Sequence, residues 1–189
     1  MIPSVTVPEG SSGPWSVSRF TIGSEPSISM LRLAMSGRST RPGTYTKLVH
    51  RSRGVVMSDT DAEKRDHYAF VAAARGHVLI NGLGLGMCVA AVLSRPKVER
   101  VTVVEIDPDV ISLVGPHYTS DRVEIVEASA FDYVPPKGVR YGAVWHDIWD
   151  SICEDNRPEM IRLHRKYGRR CDWQGSWGRQ VMDRMRGLS

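Results

Sequence analysis

The hydrophobic and polar positions of the chain follow two different rhythms. Up to residue 57, stretches with strand character are separated by glycines and a Pro-Gly pair, as in antiparallel hairpins. These stretches cover residues 17–22, 28–34, 45–49 and 55–57. From residue 77 onward, runs of valine and isoleucine alternate with apolar helical segments, which is typical of a parallel sheet covered on both faces. The pattern predicts a small antiparallel unit followed by an α/β unit.

The elements of the α/β unit come in a regular order. Strands are expected at residues 77–80, 101–104, 123–126 and 143–145, and helices at 87–93 and 108–114. Another helix is expected before them, over residues 59–75, with Ser58 or Asp59 as its N-cap and Gly76 at its end. After Asp150 the pattern predicts two amphipathic helices, at residues 156–167 and 176–186, and no strand.

The composition is that of a folded protein. Of the 189 residues, 41% are hydrophobic and 24% are charged, which excludes a wholly disordered or fibrous chain. The longest apolar run, residues 87–93, is far shorter than the ~20 residues that a membrane span needs. Residues 1–13 carry no signal-peptide pattern, so a cytoplasmic protein without a membrane segment is expected. The three cysteines form no C-x-x-C pair, which argues against a disulfide framework or a cysteine zinc site.

The net charge of +4 comes from the end of the chain. Residues 151–189 hold nine basic and five acidic side chains, whereas the preceding residues are balanced. Such an excess suits an acidic partner such as nucleic acid. Trp173 and Trp177 lie among these arginines, but the helical spacing of Trp177 with Val181 favours burial in the core over stacking on bases. Nucleic-acid binding through this tail is therefore an alternative that we do not favour.

A glycine-rich loop lies between a predicted strand and a predicted helix. Gly82, Gly84 and Gly86 form the pattern G-x-G-x-G, and Met87 stands where a dinucleotide-binding motif has its third glycine. Glycine suits this place because the chain turns sharply and a ligand approaches the backbone closely. Glu105 ends the next strand, 19 residues after Gly86. A carboxylate there is placed to accept hydrogen bonds from both hydroxyls of a ribose.

Four segments resemble, in order, the leading motifs of class I S-adenosylmethionine-dependent methyltransferases, and among these the spermidine-synthase-like branch. The segments are VLINGLGLG, VTVVEIDPDV, VEIVEASAF and YGAVWHDIWD. The resemblance covers roughly residues 45–150. It implies an α/β fold with a truncated Rossmann-like parallel sheet, an N-terminal β-hairpin appendage and a C-terminal helical cap. It also implies S-adenosylmethionine as cofactor, with the decarboxylated form as the alternative.

The pattern of residues, together with the resemblance over residues 45–150, divides the chain into four parts. Residues 1–14 are expected to form a flexible arm, and residues 15–57 a small antiparallel β appendage. Residues 58–150 are expected to form the Rossmann-like cofactor-binding domain. Residues 151–189 are expected to form a basic helical C-terminal cap.

The resemblance also implies a set of cofactor-binding residues. The three loop glycines would line the methionine portion, Glu105 would hold the ribose, and Ile106 would pack on the adenine. Ser129 and Ala130 would border the adenine, with Ser129 where the family usually has an aspartate. A segment before the domain, with Asp59, Thr60 and Glu63 on one helical turn, would cover the cofactor. Plain helix capping by Asp59 is the alternative for that segment.

The fourth motif supplies the candidate catalytic residues. Asp147 falls at the carboxyl end of the fourth strand, where a carboxylate would orient or deprotonate the acceptor. His146 is the second candidate, although alternation along a strand would turn it to the other face. The spacing of these two residues with Asp150 and His164 matches no standard ligand set, so no metal site is predicted.

Three functions follow from this reading. Methyl transfer to an unidentified acceptor is favoured. Aminopropyl transfer is less favoured, because Leu85 stands where aminopropyltransferases carry an aspartate and Ile80 where the first motif has an acid. The third is an inactive binding module with the basic tail as its partner surface. Because no strand is expected after the fourth, either the N-terminal strands fill the open sheet edge or a second subunit covers it. A homodimer is the prediction that follows from the second alternative.

Overall fold

The chain folds into two β-sheets. The computed structural model describes residues 2–25, 35, 38–185 and 187. The strands are β1 Gly10–Ser12, β2 Trp15–Ile22, β3 Gly43–His50, β4 Gly54–Ser58, β5 Gly76–Asn81, β6 Val98–Glu105, β7 Val123–Glu127, β8 Ala143–His146 and β9 Gln174–Ser176. The first sheet is antiparallel, in the order β1-β2-β3-β4, and the second is parallel, in the order β7-β6-β5-β8-β9.

The antiparallel sheet confirms the predicted β appendage. Strands β2, β3 and β4 contain the stretches expected at residues 17–22, 45–49 and 55–57. The fourth stretch, at residues 28–34, lies outside the described residues. Strand β1 adds an edge that the sequence did not predict.

The prediction of a flexible arm over residues 1–14 is wrong for the part that the structure describes. Ile2, Val5 and Val7 are buried in the same hydrophobic core as Val17 of β2. The backbone N–H of Val5 donates a hydrogen bond of 3.0 Å to the carboxylate of Asp59. Proline, serine and glycine prevent regular helix or strand formation here, but the alternating apolar side chains still pack inward.

The parallel sheet confirms the predicted fold class. Numbered along that sheet alone, its strand order is 3-2-1-4-5, the order of a Rossmann-like doubly wound sheet. The four strands expected between residues 77 and 145 correspond to β5, β6, β7 and β8. The carboxyl ends of β5 and β8, which are neighbours, lie at the point where the strand order reverses. Open α/β sheets bind their ligands at such a point.

The prediction that no strand follows Asp150 is wrong. Strand β9 pairs in parallel with β8, with Gln174 opposite Val144 and Ser176 opposite His146. The edge on which the expectation of a dimer rested is therefore occupied by β9 of the same chain. The dimer stays a prediction without that support.

Six α-helices accompany the described strands: α1 Asp61–Asp66, α2 Tyr68–Ala73, α3 Met87–Leu93, α4 Pro108–Val114, α5 Arg157–Tyr167 and α6 Arg179–Met185. Two 3₁₀ turns complete the set, at Gly115–Tyr118 and Glu154–Asn156. Helices α3 and α4 confirm the limits that the sequence predicted. None of the helices in the described ranges is long and apolar enough to cross a membrane.

The single helix expected over residues 59–75 is wrong. Two short helices, α1 and α2, replace it, and they meet at His67 (φ −96°, ψ −4°). The N-cap is Thr60 instead of Ser58 or Asp59, because the Thr60 side chain accepts from the N–H of Glu63. Gly76 begins β5 and does not end the helix.

The parallel sheet has a hydrophobic core on each face. On one face, Val78, Ile80 and Trp145 pack against α2, α3 and α4, and this core continues into the antiparallel sheet. On the other face, Leu79 and Val144 pack against α5 and the segment between β7 and β8. The two sheets are therefore packed together through one continuous core.

Candidate functional site

A cavity of about 360 Å³ lies between the two sheets, at the carboxyl ends of β5, β6 and β8. The antiparallel sheet supplies one wall of this cavity, which includes Trp15, Leu48 and Met57. The parallel sheet and its loops supply the opposite wall. Of the residues that the sequence predicted, the cavity is lined by Gly82, Gly84, Glu105, Ile106, Ser129, Ala130, Glu63 and Asp147.

At each of the three loop glycines, an atom of another residue lies too close to leave room for a side chain. A side chain at Gly82 would collide with the carbonyl oxygen of Asp147, and one at Gly86 would collide with the ring of Tyr118. A Cβ at Gly84 would lie 2.5 Å from the sulfur of Met57. All three glycines have positive φ angles, which L side chains rarely adopt. Gly86 does not line the cavity, so its predicted place beside the cofactor is corrected to a packing role.

Met57 lies directly over this loop. Its thioether sulfur accepts a hydrogen bond of 3.3 Å from the backbone N–H of Leu85, whose own side chain is fully buried. No local pattern predicts this contact, because it joins the last strand of the antiparallel sheet to a loop 28 residues later.

Glu105 is bound tightly at the end of β6. Its carboxylate accepts hydrogen bonds from the backbone N–H groups of Leu83 at 2.8 Å, Ile106 at 2.8 Å and Asp107 at 2.9 Å. Burial raises the pKa of Glu105, and the backbone hydrogen bonds oppose that rise. A carboxylate offers about four acceptor positions, so one remains for a ligand. The expected role of Glu105 as a ribose ligand stays a prediction.

The expected adenine-side residues also lie at the cavity. Ile106 is 67% exposed and presents an apolar surface toward it. The hydroxyl of Ser129 accepts a hydrogen bond of 3.2 Å from the N–H of Phe131. Phe131 itself lines the cavity, and the sequence analysis did not single it out.

Of the three residues expected to cover the cofactor, only Glu63 reaches the cavity. The carboxylate of Glu63 accepts hydrogen bonds from Ser58, through its N–H at 2.8 Å and its hydroxyl at 2.7 Å. Burial raises the pKa of Glu63. Asp59 is buried away from the cavity and accepts hydrogen bonds from the N–H groups of Val5 and Thr46. Asp59 and Thr60 are therefore corrected to structural roles, Thr60 as the cap of α1.

Asp147 lies at the base of the cavity, immediately after β8. The backbone N–H of Asp147 donates to the carbonyl of Asn81 at 2.8 Å, which fixes it beside the end of β5. Its side chain is 15% exposed. Burial raises the pKa of Asp147 to about 7, and the negative charge of Glu63 adds to the rise.

The placement of His146 in the catalytic pair is wrong. Its side chain points to the opposite face of the sheet, where it is fully buried among His164, Tyr167 and Asn81. The Nδ1 atom of His146 lies 2.8 Å from the side-chain nitrogen of Asn81. Alternation along β8 requires this outcome, because Trp145 and His146 must face opposite sides.

His67 is a cavity residue that the sequence analysis missed. It lies at the junction of α1 and α2, is 1% exposed, and has no hydrogen-bond partner for either ring nitrogen. Its Nε2 lies 3.8 Å from an oxygen of Asp147. Burial lowers the pKa of His67 to about 4, so the imidazole is neutral. No local motif marks this histidine, since its importance depends on where the junction docks.

Three tryptophans, Trp15, Trp149 and Trp177, line the cavity. The indole N–H of Trp149 donates to Glu159 at 2.7 Å. An ion pair of 2.6 Å between Arg53 and Asp150 joins the two walls. The burial expected for Trp177 is confirmed in part, since it packs half-buried against the core.

No family model matches this chain, and no curated protein matches it. Solved structures do resemble it. A putative methyltransferase yhhF from Escherichia coli is 20% identical, with a TM-score of 0.46 over 61% of this chain and 64% of that one. The N-methyltransferase NodS from Bradyrhizobium japonicum is 13% identical, with a TM-score of 0.48 over 67% and 74%. Spermidine synthase from Thermotoga maritima is 23% identical, with a TM-score of 0.37 over 53% and 43%.

The match spans less than two thirds of the length of the first of these proteins. None of the three reaches 25% identity or a TM-score of 0.5. The assignment of a function therefore rests on the site of this chain.

Proposed function

We propose that the protein binds S-adenosylmethionine and transfers its methyl group to an acceptor. One observation carries the proposal: a single cavity collects residues from three separate strand ends. These are the glycines after β5, Glu105 with Ile106 after β6, and Asp147 after β8. Ligand sites of open α/β sheets occupy this position, outside the carboxyl ends of the strands.

The cavity fits an adenosine-containing cofactor. Glu105 has one acceptor position left for a ribose hydroxyl, and Ile106 offers an exposed apolar face for a purine. Gly82 and Gly84 line the cavity where the polar end of such a ligand would lie. The bound cofactor supplies a methyl group on a positively charged sulfur. The side chain of Met57 has to move aside for a ligand to reach the backbone of the loop at Gly84, because its sulfur now covers it.

On the acceptor side, Asp147 is the polar group at the base of the cavity. Its carboxylate is placed to accept a hydrogen bond from the N–H, O–H or S–H of an acceptor and so to orient it. The tryptophans that line the cavity and the carboxylates of Glu63 and Glu159 suit an acceptor that carries a positive charge or a flat apolar group. The acceptor itself is not identified by these features.

Aminopropyl transfer is not favoured by the site. Leu85 takes the loop position of an aspartate in that branch, and its side chain is fully buried. No carboxylate of the described loop, residues 82–86, is then available for an amine.

The first prediction concerns Glu105. In titration calorimetry, the full chain should bind S-adenosylhomocysteine with micromolar affinity. Glu105→Ala should lower this affinity at least tenfold. The change removes the ribose acceptor and the carboxylate that holds the loop. Glu127→Ala is the matched control, because Glu127 ends the neighbouring strand β7 and is exposed. Circular dichroism shows whether each variant is folded.

The other outcomes of this titration are decisive. Binding of NAD in place of the homocysteine form would contradict the proposal, and preference for decarboxylated S-adenosylmethionine would move the function to aminopropyl transfer. Failure to bind any of the three would leave a Rossmann-like binding module, and the basic tail would then be tested as a partner surface.

The second prediction separates the two sides of the cavity. Asp147→Asn should keep the affinity for S-adenosylhomocysteine within a few-fold, because Asp147 is assigned to the acceptor. A loss of more than tenfold in the same calorimetric titration would make Asp147 a cofactor ligand or a structural residue.

A further inference from the structure

A buried imidazole without partners is costly, and His67 is such a group. Both of its ring nitrogens are buried and unpaired. A buried polar group left without a hydrogen-bond partner destabilises the folded state, so a partner for His67 is expected inside the site. The carboxylate of Asp147 and the thiol of Cys88 both lie within 4.8 Å of a ring nitrogen of His67.

These three side chains converge from three different elements. His67 comes from the junction of α1 and α2, Cys88 from the first turn of α3, and Asp147 from the end of β8. One ligand atom of each residue lies within 4.8 Å of the other two. The shortest separation that joins His67 and Asp147 is 3.8 Å, from Nε2 to Oδ2.

We propose that His67, Cys88 and Asp147 form a binding site for a divalent transition metal ion, with Zn²⁺ as the best match. Nitrogen, sulfur and oxygen donors together select zinc-like ions and disfavour Mg²⁺ and Ca²⁺, which take oxygen ligands. A tetrahedral ion holds such atoms roughly 3.4–3.6 Å apart. The distance of 3.8 Å between Nε2 of His67 and Oδ2 of Asp147 would shorten by less than about 0.5 Å on binding. A pair of ligand atoms at the upper limit of 4.8 Å would shorten by about 1 Å.

The charges of the three ligands balance the double positive charge of the ion. Zn²⁺ binding converts the Cys88 thiol to a thiolate and releases its proton. Thiolate, carboxylate and neutral imidazole then carry two negative charges, which cancel those of the ion in this buried place.

The site leaves a fourth position open. His67 and Asp147 both line the cavity, whereas Cys88 lies behind them in the core. Three protein ligands with one position facing a cavity is the arrangement of catalytic zinc sites. An acceptor that enters the cavity would meet the ion there. The inference goes beyond the proposed function, because metal binding does not require the cofactor.

Cobalt tests this inference directly. The metal-free full chain is titrated with Co²⁺, which reports four-coordinate geometry and thiolate ligation by its absorption. We expect one Co²⁺ per chain, a thiolate-to-cobalt band, and displacement of the ion by Zn²⁺. Cys88→Ala should abolish the thiolate band. Cys171→Ala is the control that should keep it, because Cys171 is also buried but lies in the core on the other face of the sheet.

A second measurement covers the case in which Cys88→Ala does not fold. Zn²⁺ should raise the thermal midpoint of the wild-type chain, and this rise should be lost in His67→Gln and in Asp147→Asn. Absence of saturable Co²⁺ uptake by the wild type, or a thiolate band that persists in Cys88→Ala, would overturn the inference. These readouts do not involve S-adenosylhomocysteine, so they fail or succeed independently of the proposed function.

Discussion

At the scale of single residues, Asp59 and Glu63 show how neighbouring carboxylates take different roles. They lie four residues apart, yet only Glu63 lines the cavity. Asp59 instead accepts hydrogen bonds from two backbone N–H groups, one in the N-terminal arm and one in β3. A buried carboxylate is stable where it accepts hydrogen bonds from backbone N–H groups that have no other acceptor. The spacing of residues along the sequence does not show where such N–H groups lie.

Asp59 should therefore be a strong determinant of stability. Asp59→Asn keeps the shape but places an NH₂ group against one of the two backbone donors, at Val5 or Thr46. We expect a loss of about 2–4 kcal/mol in the free energy of unfolding, measured by urea denaturation, because one buried donor is left unpaired and a charge-assisted bond is lost. Asp61→Asn serves as the control, since its ion pair with Arg41 is exposed to solvent and is strongly screened. Equal losses in the two variants would contradict the structural role of Asp59.

The residues of the site that the sequence could predict are those that follow strand ends. Gly82, Glu105 and Asp147 each come directly after or at the end of a recognisable strand, and parallel strands bring their carboxyl ends to one edge. His67 and Met57 could not be predicted in this way. Each reaches the site through the docking of one sheet or helix on another, which leaves no local pattern.

At the scale of helices and strands, the elements that could be predicted are those with local sequence signals, and the others depend on tertiary contacts. Helices α3 and α4 have local signals, a glycine before one and Asp107-Pro108 at the start of the other. Strand β9 has only Gln174, Gly175 and Ser176, none of which favours a strand. Its strand conformation comes from pairing with β8, a tertiary interaction.

The glycine loop gives the prediction at this scale. Gly86→Ala should cost clearly more stability than Gly138→Ala. Both residues have positive φ angles, +71° and +82°, so both substitutions bear a backbone cost of about 1–2 kcal/mol. Only Gly86 also meets a neighbour, the ring of Tyr118, and this overpacking adds about 1–3 kcal/mol.

Urea denaturation of the two variants measures this difference. Tyr118→Ala supplies a further control, because the extra cost of Gly86→Ala should largely disappear in its background. An extra cost that remains in the double variant would show that the Tyr118 ring is not the cause.

At the scale of the whole molecule, the cavity exists because the two sheets are held together. The indole N–H of Trp15 donates to Asp107 at 2.7 Å, and the hydroxyl of Ser12 donates to Asp109 at 2.7 Å. Both acceptors lie at the start of α4, so the antiparallel sheet is bound beside the cavity, which Trp15 and Asp107 both line. The β appendage is therefore one wall of the site as well as a structural addition.

The N-terminal arm completes this arrangement, and it provides the last prediction. Val5→Ala with Val7→Ala should destabilise the chain by about 3 kcal/mol or more, at ~0.8 kcal/mol for each buried methyl-sized group removed plus a cavity cost. Pro3→Ala with Thr6→Ala is the matched control, since both of those residues are exposed in the same segment. The composition of this segment suggested a flexible arm, and a flexible arm would make the two double variants equally stable in thermal denaturation. Because buried apolar positions alternate with exposed positions in this segment, the double variant at Val5 and Val7 should be less stable than the control.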